Sequence, residues 1–207
     1  MSGRRAVLFD VDGTLIDALA NQRQVWRAWA GHYDLDPDQV YATALRTRPQ
    51  DTFTAVAPGE DPDQCLARLH ALEDEDARSG TYDAFAGASD LLTALPPRRW
   101  ALVTSNYAHR VAIRFHRCGL PLPEVVIDAP AAAHGKPHPA PYLLAAQRLG
   151  VAPSDCLVIE DTASGAAAGL AAGMTVWTVN AAEPVPGAHR HYANLQAAAA
   201  DILDHLS

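Results

Sequence analysis

The sequence of 207 residues predicts an α/β protein with a parallel-sheet core and a small helical domain inserted after the first strand. Three observations predict it. Short apolar runs rich in Val and Ile are bounded by turn residues, as strands buried on both faces are. Helical stretches separate the later runs, and that alternation marks a parallel sheet. The first run breaks the rhythm, because a long helical stretch with no strong strand follows it.

The first strand is Ala6–Phe9, four apolar residues ending at Asp10. The insert is predicted over 17–86. Trp26, Trp29 and Tyr33 share one helical face, and Cys65, Leu66, Leu69 and Leu72 share another. Pro49, Pro58 and Pro62 separate its helices, because proline ends or begins a helix and does not continue one. Gly13 precedes the insert, and Gly80 and Gly87 bracket its exit. The core is therefore expected to comprise 1–16 and 87–207. It resumes with a strand at Trp100–Val103 and a helix at 108–118 carrying Val111, Ile113 and Phe115. A strand at 125–127 and a helix at 139–149 follow. The latter carries Tyr142, Leu143, Ala146 and Leu149, with prolines only near its start. A strand at 157–159, an Ala/Gly-rich helix and a strand at 175–179 come next. A last helix over 195–206 places Leu195, Ala199, Ile202, Leu203 and Leu206 at helical spacing.

Composition bounds the function. Apolar residues make up 49% and charged residues 19%, which supports a packed core and excludes disorder for the whole chain. The 41 Ala inflate the apolar share, so large core residues are scarcer than it suggests. There are 16 Lys and Arg against 24 Asp and Glu, a net charge of −8, and no long basic run. Nucleic-acid binding through a broad basic face is not expected. A small anionic substrate is compatible, since a few local cations hold it. Cys65, Cys118 and Cys156 lie far apart and make no CxxC pair, so they read as three reduced thiols. The first apolar run is too short for a signal-peptide core, and no run approaches the roughly 20 residues of a membrane span. The expectation is a cytoplasmic protein with no membrane partner, a monomer or weak dimer.

Ligands of a parallel α/β sheet bind outside the carboxyl ends of its strands. The first strand ends in Asp10-Val11-Asp12-Gly13-Thr14, which places two carboxylates there, with Gly13 allowing a sharp turn. The second ends in Thr104-Ser105-Asn106 before a helix. Those groups suit phosphate oxygens, and equally suit a helix N-cap. Lys136 stands between Gly135 and Pro137, at a restricted backbone, where it would neutralise a phosphate or the charge between carboxylates. His134 and His138 lack a third ligand nearby and read as loop residues. The strand at 157–159 runs into Glu160-Asp161-Thr162. Adjacent carboxylates at a buried strand end are costly unless cations answer them, and Mg²⁺ takes such oxygens. Together these strand ends describe a metal-plus-phosphate site with Asp10 available as nucleophile.

The string DVDGT, the Thr104 strand end, Lys136 and Glu160-Asp161 resemble, in order, the four motifs of the haloacid dehalogenase-like hydrolase superfamily. The resemblance spans essentially the whole chain. It implies a Rossmann-like core, and the insert looks like the helical cap of subfamily I. It also implies Mg²⁺-dependent phosphoryl transfer through an aspartyl-phosphate. Asp10 matches the nucleophile and a metal ligand. Asp12 matches the general acid/base, with its backbone carbonyl on the metal. Thr104, with Ser105 and Asn106 after it, matches the phosphate-binding segment, and Lys136 the lysine that screens phosphate and nucleophile. Asp161 matches the acidic metal ligand, with Glu160 acting behind it.

GKPHPAPYLLAA, IEDTASGAAAGLAAGM and LPPRRWALVTS look like the sugar-phosphate and glycerol-phosphate phosphatases of this branch. Arg48 matches a cap-loop arginine of those proteins, while Arg46 stands where a Gly is usual. The implied substrate is a small phosphorylated metabolite. Three other functions are weighed. A β-phosphoglucomutase-like phosphomutase is disfavoured because Gln22 holds the place of a cap histidine, and Gln cannot do its proton work. Dehalogenase chemistry is disfavoured by the second acid, Asp12. A catalytically silent binding protein has no support, because every motif residue is present.

Overall fold

The structure, a computed structural model, describes residues 4–45 and 47–206. Arg46 lies outside them. Two compact units emerge: the chain up to Asp17 together with the chain from Tyr82 onward, and Ala18–Thr81.

The first unit begins with β1 (Ala6–Phe9), every residue of which is buried. After the Asp10–Leu15 turn, β2 (Ile16–Asp17) runs to the point where the chain leaves for the second unit. The second unit holds α1 (Leu19–His32), α2 (Pro37–Ala44), α3 (Pro49–Val56) and α4 (Pro62–Ser79). Pro is the first residue of α2, α3 and α4, where its missing N–H is not needed. Asp36 and Asp61 cap α2 and α4 by accepting from Asp38 and Gln39, and from Asp63 and Gln64. The unit has its own core, in which the Trp29 ring stacks on Phe53 at 5.0 Å, with Trp26, Val40, Cys65 and Leu69 around it. Trp29 Nε1 donates to the Cys65 carbonyl, which satisfies its buried polar atom.

On return to the first unit, β3 (Asp83–Ala84) pairs antiparallel with β2, and α5 (Ala88–Ala94) follows. Then come β4 (Trp100–Val103), α6 (Ala108–Arg117), β5 (Val126–Ile127), α7 (Ala140–Leu149), β6 (Cys156–Glu160), α8 (Ala163–Ala171), β7 (Thr175–Thr178), β8 (Arg190–His191) and α9 (Leu195–His205). The main sheet has the order β5-β4-β1-β6-β7-β8, and all its pairings are parallel. After β1 the chain fills one side of the sheet, then crosses to β6 on the other. The order therefore reverses between β1 and β6, and this Rossmann-like switch point opens a crevice at their carboxyl ends. The architecture is the α/β protein with a parallel core that the sequence predicts.

Several details differ from the sequence expectation. The two-residue strands β2, β3 and β8 carry too little pattern to be read, and α5 is a short helix that the apolar spacing does not announce. In α6 the buried face is Arg110, Val111, Arg114 and Phe115, while Ile113 is only half-buried. Helical spacing from Val111 selects 114 and 115, and two arginines occupy inward positions. Among the described residues no helix is long and apolar enough to cross a membrane.

Candidate active site

The site is built at the switch point. The Asp10 N–H donates to the Ile159 carbonyl, which carries the β1–β6 ladder one residue past Phe9 and fixes Asp10 at the crevice. Gly13, at φ +94°, turns the chain back, and its N–H donates to the Ile16 carbonyl. Asn180, just after β7, ties the turn down: Nδ2 donates to the Gly13 and Thr14 carbonyls at 2.8 and 3.1 Å. Its Oδ1 accepts from the Leu195 N–H at the start of α9. The turn is thus anchored to two further elements.

Lys136 enters from the loop before α7. Its Nζ donates to Asp10 Oδ1 and to Glu160 Oε1, both at 2.6 Å. Glu160, fully buried at the end of β6, is filled by donors. Oε1 also accepts from the Tyr142 hydroxyl at 2.8 Å. Oε2 accepts from the Asp161 and Thr162 N–H groups and the Thr162 hydroxyl. The Lys136 ammonium lies 5.3 Å from the centre of the Tyr142 ring. A Cβ on Gly165 would overlap the Glu160 carboxylate, so the start of α8 lies directly against it. Glu160 therefore holds Lys136 in place and has no oxygen left open.

Asp161 Oδ1 accepts from the Thr14 hydroxyl at 3.3 Å. A Cβ on Gly13 would overlap its carboxylate. Oxygens of Asp10, Glu160 and Asp161 all lie within 4.8 Å of one another. Three carboxylates face a single ammonium. Burial, chiefly, with repulsion from Glu160 and Asp161, pushes Asp10 well above the usual carboxylate range against the pull of Lys136. Burial and then Glu160 push Asp161 up to about 7. For Glu160 burial raises the pKa, but Lys136, Tyr142 and Thr162 outweigh it and the net shift is downward. Lys136 is raised, because Asp10 and Glu160 outweigh burial. Asp10 Oδ2 is buried and has no hydrogen-bond partner among the described residues. An orphaned carboxylate oxygen beside a second, raised carboxyl is the donor set a hard divalent cation fits.

The Thr104 hydroxyl, at the end of β4, accepts from the Asn106 N–H at 3.0 Å. Its own proton stays available for an anion. Ser105 is exposed. The Asn106 side chain donates to Asp12 Oδ2 at 3.4 Å. Asp12 Oδ1 accepts from Arg114 Nη1 at 2.8 Å. Asp10, Lys136, Glu160 and Asp161 thus form one cluster, and Asp12 stands two residues beyond Asp10 with partners of its own. Arg48 belongs to the helical unit, where it is exposed and precedes α3, its carbonyl accepting from Thr52. Sequence reasoning misses the roles of Tyr142, Arg114 and Asn180. Tyr142 reads as a core residue. The one available signal for Arg114 is the pair Arg110 and Arg114, four apart on an otherwise apolar face.

Comparison with known proteins gives consistent results. The chain is 37% identical over 185 residues to hexitol phosphatase A of Escherichia coli (strain K12), covering 88% of this chain and 86% of that protein. It is 33% identical over 175 residues to fructose-1-phosphate phosphatase YqaB of the same organism, covering 81% and 92%. The fold matches the crystal structure of CbbY from Rhodobacter sphaeroides in complex with phosphate, with a TM-score of 0.79 at 20% identity over 94% of this chain and 96% of that one. The family model described as haloacid dehalogenase-like hydrolase matches residues 4–173. With a model that spans most of the chain and relatives aligned along most of theirs, this protein belongs to the haloacid dehalogenase-like hydrolase family.

Proposed function

We propose that this phosphatase is Mg²⁺-dependent and hydrolyses a small sugar or polyol phosphate through an aspartyl-phosphate on Asp10. The observation that carries the reading is the Asp10 carboxylate itself. One oxygen is fixed by Lys136 and the other is buried without a partner among the described residues. A carboxylate so held is oriented and poorly solvated, which suits a nucleophile. The sugar or polyol class is supported by the two relatives named above, whose names describe phosphatases of a hexitol and of fructose 1-phosphate.

Asp10, Asp161 and the Asp12 backbone carbonyl would hold Mg²⁺, which when bound supplies positive charge against carboxylate–phosphate repulsion. Lys136 adds its charge at Asp10 Oδ1. The Thr104 hydroxyl and the Ser105 N–H orient the phosphoryl oxygens. An Asp10 oxygen forms a bond to phosphorus as the bond to the leaving oxygen breaks, and Asp12 gives that oxygen a proton. Asp12 then takes a proton from water, whose oxygen bonds to phosphorus and releases Asp10 and phosphate.

The test is phosphate release from a panel of phosphorylated sugars and polyols, with Mg²⁺ and with EDTA. Release from at least one sugar or polyol phosphate, abolished by EDTA, is expected. No release from any of them, or undiminished release in EDTA, contradicts the reading.

The pKa shifts add a stability prediction. The Asp161 pKa is raised from 3.8 to about 7 in the folded protein, so folding favours its protonated form. Its contribution to stability is fully present below about pH 4 and is lost as pH rises through about 7. In EDTA, wild type should therefore lose more melting temperature between pH 4 and 7 than Asp161→Asn does. At pH 8, Mg²⁺ should raise the wild-type melting temperature and leave that of Asp161→Asn nearly unchanged. Scanning calorimetry reads both effects, and an equal Mg²⁺ response in the two proteins contradicts the assignment of Asp161.

A further inference from the structure

We propose that Arg114 is a positioning residue for Asp12: it anchors Oδ1 and leaves Oδ2 as the oxygen that handles the proton. The inference rests on the acid/base reading of Asp12.

Asp12 lies in a turn, and its side chain is 31% exposed. Left alone, such a side chain would sample several rotamers. Arg114 is different. Its side chain is 6% exposed, and it projects from the same face of α6 as the fully buried Val111 and Phe115. Its guanidinium lies 4.8 Å from the centre of the Tyr82 ring. Core packing therefore sets where the guanidinium sits, and the turn side chain conforms to it.

The two bonds to Asp12 are unequal. Arg114 Nη1 reaches Oδ1 at 2.8 Å, a normal charge-assisted distance. Asn106 Nδ2 reaches Oδ2 at only 3.4 Å, a weak contact that a better partner displaces. Asn106 is itself held, because its Oδ1 accepts from the Tyr107 N–H at 2.8 Å. The carboxylate is therefore gripped at one oxygen and loosely guided at the other. A group that must meet a leaving oxygen and later a water needs one fixed and one working oxygen. A misplacement of about 1 Å costs on the order of 100-fold in rate.

Stability alone does not account for the pair. A buried cation costs solvation that its partner only partly returns, and an apolar side chain of similar size on α6 would pack without that cost. The charge reaches the carboxylate assigned to acid/base work, which points to chemistry.

The experiment uses para-substituted phenyl phosphates, from p-nitrophenyl to p-methoxyphenyl phosphate, with the Mg²⁺-loaded protein. The series keeps the shape of the substrate nearly constant and increases the need for a proton on the leaving oxygen. The readout is the slope of log kcat/KM against leaving-group acidity, which reports formation of the phosphoenzyme. Arg114→Gln should lower kcat/KM by about 100-fold for p-methoxyphenyl phosphate and by less than about 5-fold for p-nitrophenyl phosphate. Arg114→Lys keeps the charge and much of the stem. It should fall between wild type and Arg114→Gln, and it carries the comparison if Arg114→Gln does not fold. In an Asp12→Asn background, already steep, Arg114→Gln should add no further slope.

A uniform loss across the series is what a purely structural arginine gives, and it overturns the inference. So does added slope in the Asp12→Asn background. If Asp12→Asn leaves the slope at its wild-type value, the acid/base reading fails and this inference fails with it. A steep Asp12→Asn with a wild-type slope in Arg114→Gln overturns the Arg114 assignment alone.

Discussion

Asp10→Asn should abolish turnover, by at least about 10⁴-fold, with no loss of stability. The amide matches the carboxylate in shape and keeps an oxygen for the Lys136 ammonium, but it cannot form the bond to phosphorus. The stability expectation follows from electrostatics. Asp10 is buried beside Glu160 and Asp161, and its pKa is raised, so its ionised form works against the metal-free fold at neutral pH. Replacing it by a neutral group relieves that repulsion. The melting temperature in EDTA should be equal to or above that of wild type, and the increment produced by Mg²⁺ should be lost. A variant that retains activity removes Asp10 as nucleophile. A variant that unfolds would mean the carboxylate is needed for the fold.

Lys136→Met should do the opposite to stability while also removing activity. The ammonium is the shared partner of Asp10 and Glu160, and its side chain is 7% exposed. Methionine keeps most of the apolar stem and leaves two carboxylates without their cation. Removing one partner of a buried ion pair typically costs about 3–5 kcal/mol, and kcat should fall by about 10³-fold as the charge facing the phosphoryl group is lost. Adding Glu160→Gln should recover part of the stability, because one of the stranded charges is gone, and none of the activity. Chemical denaturation at pH 7.5 in EDTA separates the two effects. Lys136→Met as stable as wild type would contradict the picture of a lysine that offsets the carboxylates, and so would a double variant that regains activity.

Much of this arrangement is legible in the amino-acid sequence, for a physical reason. In a parallel sheet, chemistry collects where strands end, and strand ends are marked by an apolar run that stops at a polar residue. Asp10, Thr104, Glu160 and Asp161 carry that mark, and Lys136 stands in the loop that opens α7. What depends on packing at long range is not legible. Arg114 looks in sequence like one charge on a helix with several, and only the inward turn of its face brings it to Asp12. Asn180 reaches the turn at Gly13 from 167 positions away. Tyr142 reads as core, and it is core: its ring is fully buried, while its hydroxyl donates to Glu160 in the charged cluster. The short strands β2, β3 and β8 are two residues each and exist because neighbours offer a ladder, which no local pattern records.

The role of Asp10 is tested most directly by trapping the acyl phosphate. The Mg²⁺-loaded enzyme is mixed with p-nitrophenyl phosphate, quenched in acid within the first turnover and reduced with borohydride, and its peptides are read by mass spectrometry. The account predicts that residue 10 is converted to homoserine only after exposure to substrate, and that Asp10→Asn shows no modification at any position. Turnover without modification at residue 10, or modification at another carboxylate, would contradict it.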